Sequence, residues 1–314
     1  MIDLRHLTSF ITVLESGGFT KAAARIGSTQ ASLSTTVAEL EDTLQAKLLT
    51  RGGRQVTPTE AGTSFYHHAR QLIRLMDDTR NVVLSGREGV AGAVRLGLPM
   101  SFGALIGPPL VARCREIHPD LELQLDEQTV GYGAAHLINA RLDLCVLLTD
   151  DMLSEDVDST PLLQERFWFL RKIGDGPTPL PHEVPLETVA QHRLILATRT
   201  TAFRAVIARQ FAQLGLKPEV SVECNTGPTT LDLILGGHGA SLLPYSEFAL
   251  DPRLPAIERA LVAPAFSRYA TLAQSRLQPL SPAAAAVRAL MFEIAGELIH
   301  SGEWQGAEMR GGDV

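Results

Sequence analysis

Long apolar runs and aromatic residues are both scarce in this 314-residue chain. No stretch approaches the ~20 uninterrupted apolar residues of a membrane-spanning helix, so we expect no membrane partner. The N-terminus is charged from Asp3 and lacks the apolar core of a signal peptide, which predicts a cytoplasmic protein. Aromatic residues make up only 5 %, so aliphatic side chains must form most of the core.

Cysteines and catalytic motifs are equally sparse. The three cysteines, Cys114, Cys145 and Cys224, are odd in number and show no metal-binding spacing. We expect them to be buried apolar residues, with a redox sensor as the alternative, and we expect no metal site and no cofactor. The chain has no nucleophile elbow, phosphate-binding loop, H-E-x-x-H motif or dinucleotide fingerprint, so we do not expect an enzyme.

Charge is unevenly distributed along the chain. The net charge is −7, but residues 1–91 hold 10 Lys/Arg against 9 Asp/Glu, a net of +1, and the remainder holds 18 against 26, a net of −8. An architectural DNA-binding protein would be much more basic. A near-neutral N-terminal part can still gather its basic residues on one face.

The first 58 residues predict a winged helix-turn-helix domain. Apolar spacing indicates helices at 4–16, 21–26 and about 31–46, with Gly17-Gly18 and Gly27 as breaks and Thr20 as the cap of the second helix. The segment 51–58 contains a glycine turn between short extended runs, which is typical of a β-wing.

A long linker helix is predicted from 59 to 84, followed by a hinge, so that 59–91 forms a separate unit. Phe65, Ala69, Leu72, Met76 and Val83 recur along one narrow stripe. The stripe favours dimerisation through a coiled-coil-like seam, and packing on the helix's own domain is the alternative.

Beyond the hinge, strands alternate with helices, which predicts parallel sheets with covered faces. We expect an effector domain at 92–301 made of two α/β lobes: lobe I at 92–162 and 267–301, and lobe II at 163–266. The architecture is of the periplasmic-binding-protein type, and the whole chain is α+β. The polar, glycine-rich segment 302–314 is expected to be a flexible tail.

The second and third helices have the geometry of a helix-turn-helix. Ala23 supplies the small residue where the helices cross, and Gly27 supplies the turn. Ile26, Leu33 and Val37 then face the core. The exposed face of the third helix carries short hydrogen-bonding side chains suited to base edges and phosphates: Gln30, Ser32, Ser34, Thr35 and Thr36.

These segments resemble a known family. Residues 2–75 are similar to the N-terminal signature of LysR-type transcriptional regulators at Leu4-Arg5-His6-Leu7 with Phe10, Gly18-Phe19-Thr20-Lys21-Ala22-Ala23, Gln30-Ala31-Ser32-Leu33-Ser34, Leu40-Glu41, Arg51 and Thr57-Pro58-Thr59-Glu60-Ala61-Gly62. The two strand–helix units after the hinge resemble that family's effector domain. The stretch from Leu96-Gly97-Leu98-Pro99 to Arg141-Leu142-Asp143-Leu144 is similar to the branch containing nitrogen-assimilation-control regulators.

The resemblance implies a sequence-specific DNA-binding regulator that responds to a small molecule. It implies that Gln30, Ser34 and Thr35 contact bases or adjacent phosphates. The DNA backbone would be held by Thr20, Arg51, Arg54 and Thr57, and Lys21 and Ser32 are further DNA-binding candidates. Thr20 can serve as a helix cap as well, and Arg54 can equally be an idle surface charge.

The chain also departs from the family pattern. Ser28 stands where an apolar residue is usual, Ala31 and Ser32 replace Pro and Ala, and Thr35 and Thr36 occupy positions where Arg is common. Leu48-Leu49-Thr50-Arg51 replaces Leu-Phe-x-Arg. A lost bidentate Arg–base contact removes ~1–3 kcal/mol, so we expect lower affinity or an unusual operator.

An effector site is expected between the lobes, where strand ends meet helix N-termini that attract carboxylates. The candidate polar contacts are Ser101, Thr129, Thr198, Thr200 and Thr226, with Arg199 as a carboxylate partner. Each hydroxyl can instead cap a helix. Gly236-Gly237-His238-Gly239 is interpreted as a turn rather than a phosphate loop.

Two other functions predict features that do not match this sequence. A solute-binding protein shares the two lobes but predicts an export signal and no helix-turn-helix, and an enzyme with an N-terminal appendage predicts a catalytic motif.

By resemblance, we expect a homodimer or homotetramer that binds double-stranded promoter DNA. RNA polymerase is a candidate further partner, and a bound effector would change the angle between DNA-binding domains.

Overall fold

A computed structural model describes residues 1–50, 55–84, 90–127, 132–148, 154–176 and 179–310. The predictions on Arg51, Arg54, Thr129 and residues 85–89 of the hinge lie outside these residues.

The N-terminal domain is a helix-turn-helix followed by a short two-stranded wing. Its core contains fully buried Phe10, Val37 and Leu40. Gly27 ends the second helix with φ +64°, a conformation that glycine adopts without strain. The elements are α1 (Leu4–Glu15), α2 (Phe19–Ile26), α3 (Gln30–Leu44), β1 (Leu49–Thr50) and β2 (Thr57–Pro58), and the two strands pair antiparallel.

The linker helix α4 (Glu60–Leu84) begins on this domain and then leaves it. A Cβ on Gly62 would lie 1.9 Å from the Leu48 carbonyl oxygen, so only glycine permits the close crossing of α4 and the wing. Ala69 of the predicted stripe is buried in the domain core, whereas Leu72 and Met76 remain 51 % and 52 % exposed. The helix therefore packs on its own domain first and leaves an apolar patch beyond it.

Lobe I is a five-stranded sheet in the order β4-β3-β5-β12-β6, to which β13 adds beside β6. Strand β3 is parallel to β4 and β5, as predicted, and β12 is antiparallel to β5 and β6. The helices α5 and α10 contribute to the core that covers it. The elements are β3 (Gly92–Leu98), α5 (Met100–Ile117), β4 (Leu121–Glu127), α6 (Gly133–Ile138), β5 (Leu144–Leu148), β6 (Val157–Lys172), β12 (Ser267–Ser275), α10 (Pro282–His300) and β13 (Ala307–Met309).

Lobe II is built on the second half of β6, in the order β6-β10-β8-β9, with β11 and β7 on the other side of β6. Strand β8 is parallel to β9 and β10. The elements are β7 (Glu183–Pro185), α7 (Leu186–Val189), β8 (Leu194–Leu196), α8 (Ala202–Gln213), β9 (Val220–Glu223), α9 (Gly227–Leu235), β10 (Ala240–Pro244) and β11 (Ile257–Ala263), with a 3-10 turn at Tyr245–Glu247.

Strand β6 is continuous through both lobes. It pairs with β12 up to Arg166 and with β10 from Phe167. The chain therefore changes lobe between these two residues without a break in the strand. The return into lobe I is made by β12, which starts at Ser267.

The C-terminal segment is ordered, and the prediction of a flexible tail is wrong for residues 302–310. Trp304 is 1 % exposed, and its Nε1 donates to Glu165 Oε1 at 2.6 Å. Strand β13 pairs antiparallel with β6, with Met309 opposite Leu163. The polar, glycine-rich composition of this segment favours disorder. One buried tryptophan nevertheless removes ~150–250 Å² of surface from water, and this burial is enough to hold the segment in place. Residues 311–314 lie outside the described part of the chain.

Candidate nucleic-acid interface and inter-lobe site

Helix α3 buries one side and exposes a polar one. Leu33, Val37 and Leu40 are buried in the domain core. In the N-terminal part of the helix, Gln30, Ser32 and Thr35 are exposed and Ser34 is half-buried. Lys21 of α2 and Thr57 of β2 are also exposed. The predicted DNA-contacting residues in the described part of the chain are therefore accessible to a ligand.

Thr20 does not cap α2, which corrects that prediction. The helix starts at Phe19, whose partly buried ring packs against the core, and Gly18 occupies the cap position. Thr20 lies inside the helix, where its hydroxyl donates to Gln30 Oε1 at 3.0 Å. The contact joins the two helices of the motif and orients the Gln30 carboxamide.

The cap of α3 is Thr29, which the sequence reasoning missed. Its hydroxyl oxygen accepts a hydrogen bond from the Ser32 backbone N–H at 3.1 Å. Threonine directly before a helix is a recognisable start signal. Ser32 thus has its backbone fixed by the cap while its side chain stays exposed.

A buried carboxylate holds the base of the wing. Glu41 accepts hydrogen bonds from the backbone N–H groups of Leu48 and Leu49 at 2.8 and 3.1 Å, and from Lys47 Nζ at 2.8 Å. Burial alone would raise the pKa of Glu41, but these hydrogen bonds outweigh it and hold the pKa below its usual value. Glu41 therefore fixes the segment that leads from α3 into β1.

At the edge of lobe II, the loops after β8 and β9 meet. The Thr198 N–H donates to Asn225 Oδ1 at 2.9 Å, and Asn225 Nδ2 donates to Thr198 Oγ1 at 3.1 Å. The hydroxyls of Thr198 and Thr200 are 3.2 Å apart. Thr201 caps α8, so the capping alternative does not apply to Thr198 or Thr200. Thr226 stands at the cap position of α9 without a capping hydrogen bond from its side chain.

Arg199 makes a surface ion pair. Its side chain is 83 % exposed, and its Nε lies 3.3 Å from Glu223 Oε1. The guanidinium thus already faces a carboxylate of β9. Such exposed pairs contribute little to stability, so breaking this one to bind another anion costs little.

Ser101 belongs to a buried ionic cluster at the junction of the lobes. Arg268 of β12 donates to Glu165 at 2.8 Å, to Ser246 Oγ at 2.6 Å, to Glu247 at 3.2 Å and to Ser101 Oγ at 3.5 Å. Burial alone lowers the pKa of Arg268, but the two carboxylates outweigh it and the pKa is raised. The cluster joins α5 and β12 of lobe I to the 3-10 turn of lobe II.

Two family models match this chain. The model described as "Bacterial regulatory helix-turn-helix protein, lysR family" matches residues 4–63, and the "LysR substrate binding domain" model matches residues 87–295. The chain belongs to the LysR family of transcriptional regulators. The predicted helix-turn-helix and the two-lobed α/β domain are confirmed by these matches and by the fold.

Relatives of this LysR-family protein include the nitrogen assimilation regulatory protein nac, which confirms the expected branch. The Escherichia coli protein is 29 % identical over 307 residues, with 97 % of this chain and 99 % of that protein covered. The Klebsiella aerogenes protein is 30 % identical over 295 residues, with 93 % and 95 % covered.

Solved structures show the same fold. A full-length OxyR variant from Pseudomonas aeruginosa superposes with a TM-score of 0.72 at 23 % identity, covering 94 % of this chain and 95 % of that chain. Full-length CbnR complexed with its target DNA superposes with a TM-score of 0.58 at 19 % identity, covering 94 % and 100 %.

The remaining chemistry of the described residues is sparse. No helix among them is long and apolar enough to cross a membrane, and no group of three or more candidate side chains there is arranged around a metal position. Cys114 and Cys145 are buried as expected, and burial raises the pKa of the Cys114 thiol. Cys224 is only half-buried, which departs from that expectation.

Proposed function

We propose that α3 of this LysR-family regulator binds in the major groove of double-stranded DNA. The assignment is supported by one observation above all: the apolar stripe of α3 is buried, whereas its N-terminal half exposes Gln30, Ser32 and Thr35. Gln30 and Ser34, with Ser32 and Thr35, would contact base edges and neighbouring phosphates. The backbone would be held by Thr20, Lys21, Arg51, Arg54 and Thr57.

Helix α3 is short of charge for this task. Threonines stand at positions 35 and 36, where the family commonly has Arg, so its contribution to binding comes from hydrogen bonds rather than ion pairs. A missing bidentate Arg–base contact corresponds to ~1–3 kcal/mol. We expect specific binding that is weaker than usual or directed to an unusual operator.

A gel-shift titration of the DNA upstream of the protein's own gene tests this assignment. The combined substitution Gln30→Ala and Ser34→Ala should abolish the specific complex. Thr43→Ala is the matched control, because Thr43 is exposed on the last turn of the same helix. Equal, weak binding of any DNA by wild type and variant would refute the assignment of α3 as the reading helix.

The effector is proposed to be a small organic anion held between the lobes. Thr198, Thr200 and Thr226 lie where the loops after β8 and β9 lead into α8 and α9, and helix N-termini favour carboxylates. Arg199 can exchange Glu223 for the ligand. Thr129 remains part of the proposal, whereas the Ser101 hydroxyl is assigned to the buried cluster.

A thermal-shift screen against small mono- and dicarboxylates, followed by titration of the best hit, tests the effector site. Thr200→Val and Arg199→Ala should each weaken binding about tenfold, because each removes one polar contact. Thr229→Val is the control at an exposed position of α9. Unchanged affinity of Arg199→Ala would refute an anionic effector at this place.

Assembly is proposed to proceed through α4. Leu72, Leu75 and Met76 are 51 %, 58 % and 52 % exposed on this helix, which suits burial against a second copy. We place this homodimer or homotetramer in the cytoplasm, where bacterial DNA lies. It would act there by contact with promoter DNA and RNA polymerase rather than by catalysis.

A further inference from the structure

Glu15 is the meeting point of several polar groups at the base of the DNA-binding domain. It is the last residue of α1, where a negative charge is disfavoured by the helix dipole and needs partners. Its carboxylate accepts from Tyr66 Oη at 2.8 Å and from Arg70 Nη1 at 3.2 Å, and Arg25 of α2 lies 3.5 Å away. The contacts tie α1 and α2 to the first half of α4.

The same two residues of α4 reach the effector domain. Tyr66 Oη accepts from Arg141 Nε and Nη2 at 3.2 and 3.1 Å, and the Arg141 guanidinium lies over the Tyr66 ring at 5.8 Å. Arg70 Nη2 donates to the Ala140 carbonyl at 3.4 Å. Burial, reinforced by the Glu15 carboxylate, raises the pKa of Tyr66 against the opposing effect of Arg141, so the phenol keeps its proton for Glu15.

One turn further along α4, an ion pair repeats the contact. Arg74 pairs with Asp143, whose side chain is 2 % exposed and also accepts the Arg95 backbone N–H at 2.6 Å. A nearly buried carboxylate of this kind is costly to leave without its cation. The contact is therefore stronger than a surface salt bridge.

The turn that presents these lobe I groups has a special backbone. Ala140 has φ +51°, a left-handed conformation that normally favours glycine at the end of a helix. The chain thereby reverses after α6, with Arg141 N–H donating to the His136 carbonyl at 2.9 Å. The reversal places the Ala140 carbonyl, Arg141 and Asp143 on the side that meets α4.

We propose that these groups form an interdomain clasp through which lobe I sets the orientation of the DNA-binding domain, the clasp residues being Glu15, Tyr66, Arg70, Arg74, Arg141 and Asp143. These six charged or phenolic side chains come from three separate segments: α1, α4 and the turn after α6. Each hydrogen bond or ion pair among them joins α4 either to α1 or to that turn. Movement of the turn after α6 must then move α4 and, through Glu15, the helix-turn-helix. The regulatory consequence rests on the proposed function, whereas the clasp itself does not.

Hydrogen–deuterium exchange of the free, full-length protein tests the clasp. Tyr66→Phe and Arg141→Ala each remove the phenol–guanidinium bond and leave the core packed, because Phe keeps the ring and Arg141 is exposed. Amides in residues 60–76 and 136–143 should exchange about fivefold faster in either variant. The double variant should exchange more slowly than the product of the two single effects, because both substitutions remove the same phenol–guanidinium bond. Arg115→Ala is the control, since it removes the same charge from an exposed position of lobe I. Wild-type exchange rates in both variants would overturn the clasp.

DNA binding by the same variants tests the consequence. Arg141→Ala should weaken operator binding about fivefold, because a freed domain must be ordered on binding, and the salt dependence should not change. A salt slope reduced by about 1 would mean that Arg141 contacts a phosphate, which contradicts the clasp. If the wild type binds no DNA, the proposed function fails, and the exchange measurement still decides the clasp.

Discussion

Removing the Trp304 side chain is expected to destabilise the effector domain strongly. The ring is 1 % exposed, packs edge-on against Phe102 with centroids 4.9 Å apart, and donates to the buried Glu165. Deleting a buried tryptophan in favour of alanine costs ~3–5 kcal/mol. Trp304→Phe keeps most of the packing but leaves Glu165 without one donor, at ~1–3 kcal/mol.

The shift in melting temperature follows from the size of the domain. A domain of 150–250 residues loses ~2–4 °C per kcal/mol, so Trp304→Ala should lower Tm by roughly 10 °C and Trp304→Phe by roughly half as much. Circular dichroism in the near and far ultraviolet measures both variants, with Trp168 fluorescence as a second probe. Gln305→Ala, at the exposed neighbouring position, is the control and should melt like wild type.

A Trp304→Ala variant that melts within about 2 °C of wild type would show that Trp304 is not packed in the core. Residues 302–310 would then be the flexible tail that their composition predicts. If Trp304→Phe melts like wild type and only Trp304→Ala has a lowered Tm, then packing of the ring stabilises the domain and the hydrogen bond to Glu165 contributes nothing measurable.

Other perturbations probe the DNA-binding domain and the assembly. Thr29→Ala should cost ~1 kcal/mol by removing the cap of α3, while Ser28→Ala beside it should be neutral in the same urea titration. The pKa of Glu41 is lowered in the folded state, so its contribution to stability is present above the unfolded pKa and is lost as pH falls through the folded one. Wild type should therefore lose more stability than Glu41→Gln between about pH 5 and pH 3, and parallel pH–stability curves would contradict this. Leu72→Glu should shift the protein toward monomer in analytical ultracentrifugation, whereas an unchanged sedimentation coefficient would exclude α4 as the seam.

Elements with local signals were predicted well. Helix α9 spans Gly227–Leu235, and both of its ends carry local signals, because Thr226 precedes it and glycines follow it. The turn at Gly236 was also correct, with Gly237 at φ +76°. The helix-turn-helix was predictable because Ala23, Gly27 and the apolar spacing of α3 lie within a few turns of one another.

The linker helix was predicted in extent but only partly in role. Dimerisation was preferred over packing on the helix's own domain, yet Ala69 of the stripe is buried in that domain. A periodic apolar stripe indicates that one face of a helix is buried, but it does not identify the element that packs against it. The contacts of Glu15, Tyr66 and Arg141 were not predicted either. Tyr66 and Arg141 are 75 residues apart in the chain, and no local pattern indicates that they meet.

The inter-lobe region was predicted least well. The ionic cluster depends on Arg268 and Glu165, which are 103 residues apart, and on Trp304, which is 139 residues from Glu165. No local spacing of residues around Glu165, Arg268 or Trp304 predicts these contacts. Strands β11 and β12 were not predicted individually either, because a short apolar run does not by itself distinguish a strand from other structure.

Effector-site predictions divide by lobe. Thr198 and Thr200 lie together beside Asn225, which was not among the predicted contacts. Ser101 instead faces Arg268. Strand ends and helix starts can be located from sequence, but a buried partner arriving from a distant strand cannot.

If α3 binds DNA sequence-specifically, the protein must prefer its operator to unrelated DNA, and the ratio of the two affinities measures that preference. Fluorescence anisotropy at one fixed salt concentration measures both affinities for wild type and for Gln30→Ala. We predict a wild-type ratio of at least about 10³, and a ratio roughly tenfold or more lower for Gln30→Ala. A wild-type ratio near unity, or an unchanged ratio in Gln30→Ala, would show that α3 does not recognise DNA sequence.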